Sequence, residues 1–288
     1  MKKKIIIFLG LFFIVTNAFA QGLENKIIYS RFTNGYWQIW SYSLDLNQHE
    51  QLTKSAYDKR NPICIDIKGK IIFRSSNANM YLLDTNTAKE EQILKDLGRI
   101  AYPAWSEQNN SLAFTRYDDT LTDESELWTV ALDGTGQRVL TNLPGMQYDA
   151  SWSNDGKHIL YSALESYGKH HIWIMDIDGK NSKQLTSNDK AYDLSAVFSP
   201  DDKTIAFASN QTGNFEIWLM DNNGKNLKNI TNNNAFDAKP TFSPDAKQIA
   251  FVSSRSNSLQ IWIMNTDGSN PVMISDGKEE AQDPFWVK

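Results

Sequence analysis

Six short stretches repeat an alanine or glutamine, a ring or amide, and in five cases an acid. They read Ala56-Tyr57-Asp58, Ala101-Tyr102-Pro103, Gln147-Tyr148-Asp149, Ala191-Tyr192-Asp193, Ala235-Phe236-Asp237 and Ala281-Gln282-Asp283. Carboxylates gathered at one place raise one another's pKa or recruit a cation. With aromatic rings beside them, they would form an acidic, aromatic-lined mouth that receives a basic or amide-rich protein segment. The candidate partner-binding set is therefore Tyr57, Asp58, Tyr102, Tyr148, Asp149, Tyr192, Asp193, Phe236, Asp237 and Asp283. The competing reading is that the rings pack between neighbouring elements and the aspartates cap local backbone N–H groups. The acids are not all in register with the strand that follows them, which favours the competing reading.

Other chemistries lack their residues. No H-E-x-x-H, C-x-x-C, phosphate-binding G-x-x-x-x-G-K-[ST] or nucleophile-elbow G-x-S-x-G occurs. The Asp-Gly turns at Asp176–Gly179 and Asp221–Gly224 lack the further acids and the closing Glu of a calcium loop. His170 and His171 are adjacent on a strand, so their side chains leave opposite faces and chelate poorly. The one cysteine, Cys64, sits in the apolar run Ile63-Cys64-Ile65 and reads as a small buried hydrophobe, with no disulfide available. The expectation is a protein without catalytic residues, metal or cofactor.

The chain begins like an export leader. Lys2 to Lys4 form a positive start, Ile5 to Val15 an apolar core, and Ala18-Phe19-Ala20 a small-residue cleavage site, so the mature chain should begin at Gln21. The apolar run is shorter than the ~20 residues of a membrane span. No later stretch is apolar enough to span, so the product should be exported and cleaved. Three lysines leave with the leader, so 29 basic residues become 26 against 34 acidic ones, net −8. That balance excludes a nucleic-acid partner, which needs a basic face, and suits a basic protein.

The elements that would position the acids come from a repeat. Gln38–Tyr42, Glu126–Val130, His171–Met175, Glu216–Met220 and Gln260–Met264 each carry an apolar residue and Trp at the same offsets, and Met80–Asp84 is a weaker copy. The aromatic positions 40, 81, 128, 173, 218 and 262 are 41, 47, 45, 45 and 44 residues apart. Each unit reads as four strands. The first ends in a Ser-Pro-Asp turn, where Pro presets φ at the second position. The second alternates, as Ile205 and Phe207 do with Ala206 and Ala208. The third is the apolar Trp strand, and an Asp-Gly hairpin leads to a short fourth such as Lys183–Thr186. A periodic unit that cannot bury its own faces is stacked in series.

The chain's ends suggest closure. The mature chain starts with a second strand, Lys26–Ser30, and finishes with an orphan first strand, Asp283–Lys288. The expected fold is all-β: a six-bladed β-propeller of four-stranded blades, its ring closed by the C-terminal strand joining the first blade. The units span about 26–65, 66–105, 106–152, 153–198, 199–242 and 243–288 within one domain, 21–288, after the leader 1–20.

The segments Ser199–Thr231 and Ser243–Asn270 resemble the propeller repeat of the TolB family, the periplasmic component of the Tol–Pal envelope system. The likeness is specific in the last three units, weaker in 106–152, and degenerate before 105, where "IDIKGK" replaces the turn. It implies a periplasmic binding protein, not an enzyme, that binds a peptidoglycan-associated lipoprotein. Family members carry an α/β domain ahead of the propeller; here Gln21–Asn25 alone separate the cleavage site from the first strand, so that domain is expected to be lacking. The expected function is a monomeric protein-interaction propeller. Its loop-rich face would carry Arg31–Trp37, Tyr117–Ser125, Ala163–Lys169 and Asn210–Phe215. The alternatives are a propeller that binds a glycan or small ligand on those aromatics, and a propeller lyase or hydrolase.

Overall fold

A computed structural model describes residues 22–117, 124–164, 170–188 and 190–288. The leader 1–20, most of the loop 117–125 and most of the loop 163–169 lie outside the described residues. The described residues form strands and turns throughout. In chain order these are β1 (Lys26–Thr33), β2 (Tyr36–Ser43), β3 (Gln48–Gln51), β4 (Lys59–Asp66), β5 (Lys70–Ser75), β6 (Met80–Asp84), β7 (Lys89–Ile93) and β8 (Arg99–Ser106). Then come β9 (Ser111–Tyr117), β10 (Ser125–Val130), β11 (Arg138–Val139), β12 (Met146–Trp152), β13 (His158–Leu164), β14 (His170–Asp176), β15 (Lys183–Gln184) and β16 (Asp193–Phe198). The last are β17 (Thr204–Ser209), β18 (Glu216–Asp221), β19 (Lys228–Asn229), β20 (Asp237–Phe242), β21 (Gln248–Ser253), β22 (Gln260–Asn265), β23 (Val272–Met273) and β24 (Ala281–Trp286).

The strands make antiparallel meanders in a propeller arrangement. Four sheets have four strands each: β4–β7, β16–β19, β20–β23, and β1–β3 with β24 on the free edge of β1. The C-terminal strand therefore pairs with the first, Ile27 opposite Trp286 and Arg31 opposite Ala281. The expectation of separate four-stranded blades fails for the chain between 99 and 184. There β8–β11 and β12–β15 share one eight-stranded sheet. The junction is a single parallel pair, Ser125 beside Met146, sealed by the Ser125 N–H donating to the Gly145 carbonyl. The Ser125 hydroxyl adds a second bond there, donating to the Gln147 carbonyl at 3.0 Å.

An aromatic pair recurs across the second and third strands of every unit. Tyr29 faces Trp40, Phe73 faces Tyr81, Phe114 faces Trp128, Tyr161 faces Trp173, Phe207 faces Trp218 and Phe251 faces Trp262. Cross-strand aromatic pairs contribute about 0.2–1 kcal/mol each, and this one explains why the tryptophan is repeated. The second strand is buried on both faces. In β17, Ile205 and Phe207 pack toward Leu160 and Ile172, while Ala206 packs toward Phe242 and Phe251. Large residues on one face thus meet small ones on the next sheet. Similar clusters join Ile28 to Ile71, Ile72 to Leu112, Ala113 to Ile159, and Ala250 to Ile27.

Two residues past the end of the fourth strand, a hydroxyl side chain bonds back to the third strand. Thr53, Thr141, Thr186, Thr231 and Ser275 accept the backbone N–H of Ile39, Leu127, Ile172, Ile217 and Ile261 at 2.9–3.0 Å. The hydroxyl replaces a ladder bond that would otherwise be missing in the interior. In the Ser-x-Asp turns, the Ser199 and Ser243 hydroxyls accept from the N–H five residues on and donate to Asp201 and Asp245.

The Asp-Gly hairpins press against the preceding unit. A Cβ on Gly268 would lie 2.2 Å from the Ile230 carbonyl oxygen, and φ there is +92°. Gly268→Ala should therefore destabilise the fold by about 2–4 kcal/mol, combining left-handed strain with overpacking. Urea denaturation measures this, and Gly134→Ala is the control, since its position is open.

Candidate functional site

Each innermost strand carries a β-bulge at the same place. The register slips between Arg60 and Ile63, Ala101 and Ala104, Tyr148 and Ser151, Leu194 and Val197, Ala238 and Thr241, and opposite Ile28 and Ser30 in β24. At each slip one non-glycine residue takes a left-handed backbone: Asn61 (φ 51°), Tyr102 (50°), Asp149 (59°), Ser195 (55°), Lys239 (54°) and Asp283 (56°). Strained residues of this kind persist where the surroundings over-determine them, often at functional sites. Proline follows at Pro62, Pro103, Pro240 and Pro284. A bulge leaves one N–H without a ladder partner, and proline has none to leave.

All six bulge residues line one central cavity of about 640 Å³. From them the cavity runs toward the turns between first and second strands, where Asp66, Glu107, Asn154 and Lys288 form its rim. In an antiparallel meander this face is opposite the loop-rich one.

Asp283 organises the cavity's inner end. Its Oδ2 accepts from Arg60 Nε at 2.7 Å and from the Asn61 N–H at 3.3 Å; its Oδ1 accepts from Asn61 Nδ2 at 3.2 Å and from Lys239 Nζ. Arg60 also donates to Gln282 Oε1 at 2.7 Å and stacks over the Trp37 ring. Burial works to raise the Asp283 pKa, but the charges of Lys239 and Arg60 and their hydrogen bonds outweigh it and hold the carboxyl far below the usual range. Asp149 is placed differently. Burial pushes its pKa up, against hydrogen bonding to the Ser195 side chain and backbone and the charge of Lys239.

The ten residues expected as one mouth fall into separate places. Tyr102, Asp149 and Asp283 line the cavity, and the other seven do not. Asp193 and Asp237 sit two residues before the bulge, so alternation and the slip turn them into their own sheets, 2% and 0% exposed. Asp237 accepts from Arg255 Nη2 at 2.8 Å and from Asn233 Nδ2 at 2.6 Å. Asp193 faces His171 at 4.0 Å, and burial raises its pKa. Asp58 accepts the Trp37 N–H at 3.0 Å, and Tyr57 donates to Glu90 while packing on Tyr81. The acidic ring is thus replaced by contacts within and between neighbouring sheets: Asp58 caps the Trp37 N–H of β2, Asp193 faces His171 of β14, and Asp237 pairs with Arg255 just past β21. Tyr148 hydrogen-bonds His170 Nδ1 at 2.6 Å, and His170 lies against Tyr192. Tyr192 and Phe236 remain 39% and 40% exposed on the loop-rich face, Phe236 edge-on to Phe215.

Asn61, Ser195, Lys239 and Arg60 were absent from the expected set. A signal for the first three exists: Asn-Pro-Ile-Cys, Tyr-Pro-Ala-Trp, Asp-Ala-Ser-Trp, Ser-Ala-Val-Phe, Lys-Pro-Thr-Phe and Asp-Pro-Phe-Trp align from 61, 102, 149, 195, 239 and 283. Arg60 carries no such mark. Cys64 is partly buried, and burial raises its thiol pKa to about 11, far from a nucleophile. Among the described residues, no group of three or more His, Cys, Asp or Glu is placed to hold a metal ion, and no helix is long and apolar enough to cross a membrane.

Residues 168–288 match the TolB beta propeller domain, PD40. A TolB homolog of Chlorobium chlorochromatii is 27% identical over 136 residues, which are 47% of this chain and 29% of that protein. This chain thus spans under a third of that relative. Among solved structures, the putative TolB from Agrobacterium tumefaciens superposes with a TM-score of 0.74 at 20% identity, covering 91% of this chain and 99% of that one. TolB from Acinetobacter baumannii superposes with a TM-score of 0.76 at 21% identity, covering 91% and 66%. Residues 168–288 are thus similar in sequence to the TolB propeller domain, and the described chain shares the β-propeller fold of these TolB structures.

Proposed function

We propose that this chain is an exported, periplasmic, non-enzymatic propeller that binds an envelope protein, such as a peptidoglycan-associated lipoprotein, through its loop-rich face. The ring is read as six blades, with the eight-stranded sheet counted as two and β24 closing the circle. Six inter-sheet clusters support that reading, the last joining Ala250 and Val252 of β21 to Ile27 and Tyr29 of β1. The TolB-type likeness supports the envelope role.

The observation that carries the partner face is its apolar exposure. Of the ten large hydrophobics exposed among the described residues, Phe32, Tyr36, Leu143, Tyr192 and Phe236 lie on this one face. Aromatic residues on a rigid scaffold are the usual anchors of a protein interface. Without the leader the net charge is −8, from 26 basic and 34 acidic residues, which favours a partner with a basic rim.

The test is calorimetry of residues 21–288 against the purified soluble domain of the peptidoglycan-associated lipoprotein from the same source. Saturable binding is expected. Tyr192→Ser with Phe236→Ser should weaken it at least about thirtyfold, roughly 2 kcal/mol. No binding by the parent chain sinks the partner; equal binding by the double variant sinks the face.

A further inference from the structure

The central cavity opens away from the proposed partner face, and its chemistry is not that of a protein-docking patch. Its volume of about 640 Å³ falls in the range of small-molecule sites, roughly 300–1,000 Å³. The wall between its two ends is largely apolar, built from Ile63, Ile65, Ala104, Val197 and Phe285. The inner end is charged.

The charges there are not equally engaged. Four carboxylates line the cavity, Asp66, Glu107, Asp149 and Asp283, against two ammonium groups, Lys239 and Lys288. Lys288 donates to Asn154 at the rim. Lys239 and Arg60 are both held by Asp283. Asp149 hydrogen-bonds Ser195, and the cation whose charge reaches it, Lys239, is the one already bound to Asp283. A part-buried carboxylate that shares its cation with a second carboxylate is under-compensated, and the raised pKa of Asp149 agrees with that. Relief would come from a positive group at the inner end of the cavity.

A metal ion fits poorly. Calcium takes six to eight oxygen ligands, while both oxygens of Asp283 are already occupied by nitrogen donors. A single ammonium needs fewer acceptors and leaves Asp283 undisturbed. The apolar wall then requires a carbon body.

We propose that the cavity is a binding site for an organic monocation: a primary ammonium on a short aliphatic or aromatic body, its head against the Asp149 carboxylate and its body along Ile63, Val197 and Phe285. The head displaces the water now available to Asp149, and the body gains burial at about 25 cal/mol per Å². An anion of the same shape is repelled. Binding weakens as pH falls, because Asp149 takes up a proton and loses its charge. The groups facing Asp149 across the cavity and beside it are Tyr102, Tyr117, Tyr148, Lys239 and Asp283. The tyrosines are neutral below their raised pKa values, Lys239 and Asp283 hold each other, and Asp66 and Glu107 lie at the far rim, so Asp149 drives the change.

Calorimetry of residues 21–288 with 2-phenylethylamine and with hexylamine tests the site. Phenylacetate is the anionic control, and ammonium chloride and calcium chloride are the bodiless ones. One amine per chain is expected, with no phenylacetate binding. Asp149→Asn should lower amine affinity at least tenfold at an unchanged melting temperature. Ser151→Trp, which puts an indole in the cavity while keeping the Asp149 carboxylate, should abolish it and covers the case in which Asp149→Asn fails to fold. Absence of amine binding overturns the proposal, as does equal affinity in Ser151→Trp or in a folded Asp149→Asn. Calcium bound at the same site, in competition with the amine, would replace it with a metal site. Because this cavity and the partner face are on opposite sides, either reading can fail alone.

Discussion

Asp283→Asn should destabilise the protein by about 3 kcal/mol at pH 7, the lower end of what removing one member of a buried ion pair costs. The substitution keeps the shape and removes the charge. Arg60 and Lys239 are then left at the cavity's inner end without a countercharge. They retain some solvent access, at 26% and 33% side-chain exposure, which is why the larger values are not expected. Asp283 also ties β24 to β4 and β20, so the loss falls on contacts between three sheets. For a chain of this size the melting temperature should fall by about 6–12 °C. The sign of the pH dependence follows from the depressed pKa of Asp283. Its contribution is full above the unfolded carboxyl pKa of about 4 and is lost as pH falls toward the folded value. The gap between parent and variant should therefore narrow below about pH 4. Urea titrations at pH 7 and pH 3 measure both effects. A change under about 1 kcal/mol at pH 7 would mean that solvent in the cavity screens the cluster.

Ending the chain at Glu280 should abolish cooperative folding. Trp286 and Val287 are 4% and 1% exposed, and burying a large side chain contributes about 1.5–3 kcal/mol. Their loss, with that of Asp283, approaches the whole stability of an ordinary domain, about 5–15 kcal/mol. The edge of β1 would be bared beside Ile27, Ile28 and Tyr29, an apolar edge open to pairing with other chains. The truncated chain should aggregate, and a peptide of residues 281–288 added in trans should restore a folded, monomeric species. Size-exclusion chromatography with and without the peptide decides it. A truncated chain that stays monomeric with an unchanged melting curve would show that the β24–β1 pairing does not hold the ring.

Much of the fold is readable from local pattern. The tryptophan spacing, the alternation in Thr204–Ser209 and the Asp-Gly turns each report a few neighbouring residues, and each unit repeats them. The orphan strand at the end also marks its own place, since Asp283–Trp286 matches the first strands of the other units. The shared eight-stranded sheet was not readable. It depends on one parallel contact, Ser125 beside Met146, which no local pattern marks.

The site was read less well, for a definite reason. The recurring Asp was aligned by its neighbours in sequence, as though every strand kept strict alternation. A bulge breaks alternation by one residue, so Asp149 and Asp283 face the cavity while Asp193 and Asp237, two positions earlier, turn into their sheets. The pairing of Arg60 with Asp283 joins residues 223 apart in the chain. Sequence by itself determined the repeat, the strand order within a unit and the place of the recurring tryptophan, because these are short-range and written many times. Tertiary structure alone decided which side chains meet at the centre and which face the cavity opens on, because six strands from distant parts of the chain converge there and their bulges set the direction of every side chain.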